Sequence, residues 1–246
     1  MARLFDNGST QCLRNSSTPV TGVPLTLAAW FNTDDLGVNQ CLLSVADSGS
    51  GNNYFTILIE GLVDDYLDAS QRSASTTGHC RTTAAPSADA WHHGCAVFAA
   101  IDDTRSYLDG GGKGTDNTSI TPTGLDRVGI GVHADSTPLG YMPGAIAEAA
   151  IWNAALTDDE VAILAKGYSP LLVRPQNLVA YWPLIRDTDD DIVGGYSMTP
   201  VNSPTVAAHP RVFYPGMPHY PYAAAAIAAL RIPRHPAAYF GGPTIF

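Results

Sequence analysis

The feature that most limits how this chain can fold is a succession of short segments rich in strand formers. Each is closed off by glycine, asparagine, aspartate, serine or proline. Leu25-Thr26-Leu27-Ala28-Ala29-Trp30-Phe31 alternates, and comparable runs occupy 41–45, 54–60, 95–100, 104–108, 127–132 and 145–151. Side chains of a strand point to opposite faces in turn, so such runs pair into sheets with one face turned to a core. Their regular spacing predicts an antiparallel sandwich. Asp109-Gly110-Gly111-Gly112 supplies a hairpin turn between two of the runs, because glycine reaches positive φ without steric cost. One helix is expected. Thr157-Asp158-Asp159-Glu160 reads as a capping box, Val161, Leu164 and Ala165 share a face, and Gly167 ends it.

A length of 246 residues suits one large sandwich with an extension. The extension begins near residue 209. From there on, the chain holds seven of its 18 prolines and seven aromatics, and prolines remove the donors a central strand needs. The reading is therefore a domain over 1–208 and a docking arm over 209–246. Arg211, Phe213, Tyr214, Tyr220, Tyr222, Arg231, Arg234, Tyr239, Phe240 and Phe246 would form its assembly interface. The arm carries three arginines and no acid, whereas the body carries ten basic and 23 acidic residues. A basic arm on an acidic body favours contact with a second copy or with other proteins of an assembly.

A net charge of −10 opposes a sequence-independent grip on nucleic acid, which needs lysine and arginine to neutralise phosphates. No run of eighteen apolar residues occurs, so no membrane helix is expected. Met1-Ala2-Arg3-Leu4 leads into polar sequence without the pattern of a signal peptide, and the expectation is a protein made in a cytoplasm. Cys12, Cys41, Cys80 and Cys95 match no zinc spacing and are expected to be reduced, buried thiols.

Six motifs in order now carry a family resemblance. They are Leu27-Ala28-Ala29-Trp30-Phe31, Trp91-His92-His93, Ser106-Tyr107-Leu108-Asp109-Gly110, the run from Gly144 to Asn153 with its Ile151-Trp152, Ala155-Leu156-Thr157-Asp158-Asp159-Glu160, and Leu178-Val179-Ala180-Tyr181-Trp182-Pro183-Leu184. Together they resemble laminin-G-like domains of the concanavalin A-like lectin/glucanase type. The resemblance implies an all-β fold, a two-sheet antiparallel jelly-roll sandwich with one short helix, and the extended C-terminal arm beside it. Gly194-Gly195-Tyr196 and Ala208-His209-Pro210-Arg211-Val212 are similar to the variety found in bacteriophage virion proteins. That implies a non-catalytic virion structural protein, a capsid decoration or tail-associated subunit. The alternative is a lectin-like module for a host or environmental glycan.

Sandwich glucanases place a catalytic carboxylate pair on one strand, whereas here Glu148 stands among Ala147, Ala149 and Ala150. No enzyme is therefore expected. For a glycan, Tyr54, Tyr66 and Tyr141 are the candidate stacking residues in loops. For calcium, which the family often binds through loop acids, Asp187, Asp189 and Asp191 are the candidate ligands. Trp30, Trp91, Trp152 and Trp182 are expected in the core. His92 and His93 are expected on opposite faces of a strand, one packed and one exposed.

Overall fold

The computed structural model describes residues 1–185 and 187–216. Strands β1 (Ala2–Phe5), β2 (Cys12–Asn15), β3 (Leu25–Thr33), β4 (Asn39–Ala46), β5 (Asn53–Glu60), β6 (Leu67–Ser73) and β7 (Thr76–Arg81) open the chain. They are followed by β8 (His92–Ala100), β9 (Asp103–Leu108), β10 (Gly111–Asp116), β11 (Arg127–Ile130) and β12 (Gly144–Trp152). Helix α1 (Asp158–Ala165) precedes β13 (Leu178–Trp182), β14 (Thr199–Val201) and β15 (Thr205–Ala207). One sheet runs β10-β9-β8-β3-β12-β1-β15, with β13 also on β12; the other runs β14-β2-β11-β4-β5-β6-β7. The strands pair antiparallel. This is the expected all-β sandwich.

Period two decides what fills it. Leu25, Leu27, Ala29 and Phe31 of β3 face Leu43, Val45, Phe55 and Ile57 of the other sheet across one continuous core. Thr26, Ala28 and Trp30 must then point away from it. Residues Val161 and Leu164 of α1 cover part of that outward face, against Ala28, Tyr107, Trp152 and Tyr181. The helix starts as expected: the Thr157 hydroxyl accepts the Glu160 amide, and the Glu160 side chain accepts the Thr157 amide. Asp109 and Gly110 both have positive φ, closing the β9–β10 hairpin as the sequence predicts.

The four tryptophans divide. Trp152 and Trp182 are fully buried, and their indole N–H groups donate to Val173 O and Tyr196 O at 2.9 and 2.8 Å. Trp30 and Trp91 are only half-buried and pack with Ala2, Ala145 and Ala147 on the outward face. The expectation that all four lie in the core is corrected by the phase of β3, which turns Trp30 away from Phe31. His93 is buried and His92 half-buried, on alternate faces as expected. All four cysteines are buried free thiols.

One compact unit spans Met1–Pro215. Residues 209–215, placed by composition in the arm, lie on the sandwich. The Phe213 amide donates to Gly167 O (2.7 Å) and Phe213 O accepts the Ser169 amide (3.0 Å). Tyr220, Tyr222, Arg231, Arg234, Tyr239, Phe240 and Phe246 fall outside the described residues.

Candidate functional site

The outward face of the β3–β12–β1 region is floored by small side chains. Asn32 pairs with Ala145, Ala145 with Leu4, and Leu4 with Thr205. One row along, Trp30 pairs with Ala147, and Ala2 with Ala207. Alanine fills little of the height that a neighbouring Trp reaches, so the surface sinks between Trp91 and β15. The result is a cleft of about 640 Å³, within the range of small-ligand sites. Trp91 stands at one wall. Asp6, Asn7, Asn32, Asp34 and Asp89 supply polar atoms around it, and no lysine or arginine lines it among the described residues. The Asp6 carboxylate is held by the Ser9 hydroxyl (2.6 Å) and the Gly8 amide (2.9 Å), and those bonds lower its pKa.

The residues expected from sequence lie elsewhere. Tyr54 is buried within β5, its ring 4.2 Å from that of His133. It is a packed strand residue, not a loop platform. Tyr66 and Tyr141 are half-buried and do not line the cleft. The calcium reading of Asp187, Asp189 and Asp191 is corrected by their partners. Asp189 takes both arms of the Arg3 guanidinium, Nε at 2.6 Å and Nη2 at 2.5 Å. Asp191 accepts four backbone amides, from Tyr181, Val193, Gly194 and Tyr196, at 2.8–3.0 Å. These carboxylates are saturated by protein donors and brace the turn before β14. Asp187 is exposed and contributes its carbonyl to Arg3 at 3.4 Å.

Glu148 sits where β12 changes partner. Residues 144–146 pair with β1 and 149–152 with β13, and the register with β3 shifts at this point. Its φ of +53° marks a bulge that re-aims the side chain. The buried carboxylate accepts hydroxyls from Tyr181 (Oε2, 2.6 Å) and Tyr214 (Oε1, 2.5 Å), with His209 Nε2 3.3 Å from Oε1. No second carboxylate lines the space beside it among the described residues. Burial and the negative charge of Glu148 together push both tyrosine pKa values far up. Tyr214 and Phe213 of the expected interface thus engage the chain's own body, the ring of Phe213 resting 5.7 Å from that of Tyr168. Arg211 is exposed.

A second cluster lies on the opposite sheet. Alternation turns Glu60 of β5, Asp68 of β6, and His79 and Arg81 of β7 to the outer surface. His79 Nδ1 is 2.7 Å from Asp68 Oδ2 and 3.2 Å from Glu60 Oε1. Arg81 forks onto Glu60. Burial alone would raise the Glu60 pKa, but His79 and Arg81 bring it down to about 2. Hydrogen bonds to Asp68 and Glu60 raise His79 to about 9. Sequence reasoning missed this group, since the three ligand-type side chains come from three separate strands.

With fold and surfaces in place, the family can be stated. Residues 6–162 match the family model Laminin_G_3, described as the concanavalin A-like lectin/glucanases superfamily, and the chain belongs to that superfamily. A Bacteroides ovatus protein, whose carbohydrate binding is itself an assignment, superposes with a TM-score of 0.60 at 17% identity. The match covers 85% of this chain and 59% of that one, so this chain spans about three fifths of that protein's length. The CBM40 of a Ruminococcus gnavus IT-sialidase, bound to α2,6 sialyllactose, gives 0.53 at 15% identity, covering 67% of this chain and 97% of the module. Domain 4 of AbnA, a GH43 extracellular arabinanase from Geobacillus stearothermophilus, in complex with arabinotriose, gives 0.51 at 18%, covering 59% and 68%. At these identities the likeness is one of fold. No match to this sequence was found among curated proteins.

Proposed function

We propose that this chain is a non-catalytic carbohydrate-binding domain that holds a neutral glycan in the cleft beside Trp91. The observation that carries the reading is the alanine-floored trough with an indole wall and a polar rim. A pyranose or furanose offers an apolar C–H face to an aromatic ring and hydroxyls to carboxylates and amides around it. The Bacteroides ovatus, Ruminococcus gnavus and Geobacillus structures, all described in terms of sugar, support the class. Selectivity follows from charge. Asp6, Asp34 and Asp89 face the ligand with no lining cation among the described residues. An anionic sugar such as the sialic acid of the Ruminococcus ligand therefore meets like charge here. Among the described residues no second carboxylate lines the space beside the buried Glu148, so this strand lacks the paired acids that a retaining glycosidase uses.

The test is a glycan array followed by calorimetry with neutral oligosaccharides and with sialyllactose. A neutral glycan should bind, sialyllactose should not, and Trp91→Ala should weaken binding at least about tenfold, roughly 1.4 kcal/mol. Failure of every neutral glycan, or binding indifferent to Trp91→Ala, overturns the reading.

The second reading concerns where such a domain works. The Ala208-His209-Pro210-Arg211-Val212 motif and the proline- and aromatic-rich sequence after it support a bacteriophage virion protein. In that reading it is a decoration or tail-associated subunit made in the host cytoplasm, fastened by its C-terminal residues to copies of itself or to other virion proteins. It is compatible with glycan binding on the same particle.

A further inference from the structure

We propose that Glu60, Asp68 and His79 form a binding site for a single divalent transition cation of the zinc type, on the face of the molecule formed by the second sheet. One ligand atom from each of the three residues lies within 4.8 Å of the others. The sheet register makes this so. Asp68 stands opposite Arg81, and His79 is two residues before Arg81 on the same face of the edge strand β7. Bonds of about 2.0–2.2 Å in tetrahedral geometry separate ligand atoms by roughly 3.3 Å. His79 Nδ1 is 3.2 Å from Glu60 Oε1 and 2.7 Å from Asp68 Oδ2. The His79–Glu60 separation already fits an ion, and the His79–Asp68 pair needs to open by roughly 0.6 Å to reach that spacing.

The second observation is Asp68 itself. Its side chain is fully buried, yet Oδ1 has no hydrogen-bond partner. A buried carboxylate oxygen without a donor is unfavourable and rare, and a cation held by both oxygens of this carboxylate gives Oδ1 the partner it lacks. The His79 side chain is 40% exposed, so water can reach the cluster and complete the coordination. Arg81 fixes the orientation of Glu60 as an outer partner does in metal sites, and its charge competes with the cation. The ligand set selects the ion. Calcium takes six to eight oxygens, while an imidazole with two carboxylates suits zinc and its neighbours. Zinc displaces the Nδ1 proton of His79 to solvent on binding.

Calorimetry on the full chain, titrated with zinc chloride and separately with calcium chloride, decides the matter. The expected result is saturable zinc binding at one site per chain and no calcium heat. His79→Gln should weaken zinc binding at least tenfold, and Arg81→Gln should strengthen it. His79 is on an edge strand and part-exposed, so the variant's circular dichroism should match the parent. Absence of zinc heat, zinc heat unchanged in His79→Gln, or calcium bound in preference to zinc each overturns the proposal.

Discussion

The hydroxyl of Tyr214 donates to Glu148 Oε1 at 2.5 Å, tying a residue beyond the last strand to the bulge at the centre of the first sheet. His209 approaches the same oxygen at 3.3 Å and Pro183 O at 3.2 Å. One buried carboxylate thus gathers a strand, a loop and the chain's exit segment. Replacing it with Gln keeps the shape but weakens the bonds it accepts, since charge-assisted hydrogen bonds are about twice as strong as neutral ones. Glu148→Gln should lose roughly 1–3 kcal/mol of stability, read by urea denaturation.

The same contact predicts a pH dependence. Burial works against a charged His209, but Glu148 and the carbonyls of Pro210 and Pro183 outweigh it and raise its pKa above 6.5. A group raised in the folded state binds its proton more tightly there than when unfolded. Its contribution is therefore complete below pH 6.5 and is lost as pH climbs through the folded value. Comparing urea midpoints of the parent and His209→Gln, the difference should be largest at pH 5.5–6 and shrink at alkaline pH. A difference that grows with pH would show the sign to be wrong.

The tryptophans should separate binding from stability. Trp152 is fully buried with its N–H on Val173 O, so Trp152→Ala should cost about 3–5 kcal/mol and lower Tm by many degrees. Trp91 is half-buried at the cleft wall. Its alanine variant should lose glycan binding while keeping most of its stability, as differential scanning fluorimetry beside calorimetry would show.

Helix α1 offers a local check. The Thr157–Glu160 capping box is braced by Arg174, whose Nε and Nη2 reach Glu160 at 2.8 and 2.7 Å. Thr157→Ala should cost about 1 kcal/mol. Glu160→Ala should cost somewhat more, since it removes the reciprocal cap and leaves Arg174 without its carboxylate.

Strands whose inward residues are mostly large and apolar, such as β3 and β5, were legible from alternation alone. Strands β6 and β7 were not. Their inward positions are filled partly by Ala69, Gly78 and Cys80, and Asp68, Ser70 and His79 make the rest look like a loop. The phase that puts Leu25, Leu27, Ala29 and Phe31 inside already implied that Trp30 faces out. Counting tryptophans as core residues overrode that signal. Tyr54 was offered as a loop residue although its own run, 54–60, already read as a strand, and β5 indeed begins at Asn53. The cleft was illegible for a different reason. Leu4, Asn32, Ala145 and Thr205 meet only through register between strands far apart in sequence, and a lone alanine gives no sign of what stands beside it.

The C-terminal residues supply the last prediction, which uses two truncations. Ending the chain after Ala208 removes His209 and Tyr214 together and leaves the buried Glu148 with Tyr181 as its remaining hydroxyl donor. It also removes the Phe213 backbone bonds to Gly167 and Ser169. This chain should unfold at lower urea, by roughly 2–4 kcal/mol, taking a buried group stripped of a charged hydrogen bond at about 1.5–3 kcal/mol and each neutral bond at about 1 kcal/mol or less. Ending it after Pro215 keeps all these contacts, and that chain should match the parent in stability. The two truncations therefore separate folding from assembly. If the residues after 216 dock the protein to copies or to a virion, the chain ending at Pro215 should be stable and monomeric by light scattering while the full chain self-associates or co-sediments with particles. Equal association of the two chains would remove the docking role from these residues. Loss of stability in the chain ending at Pro215 would mean that the sandwich needs more than the His209 and Tyr214 contacts to close.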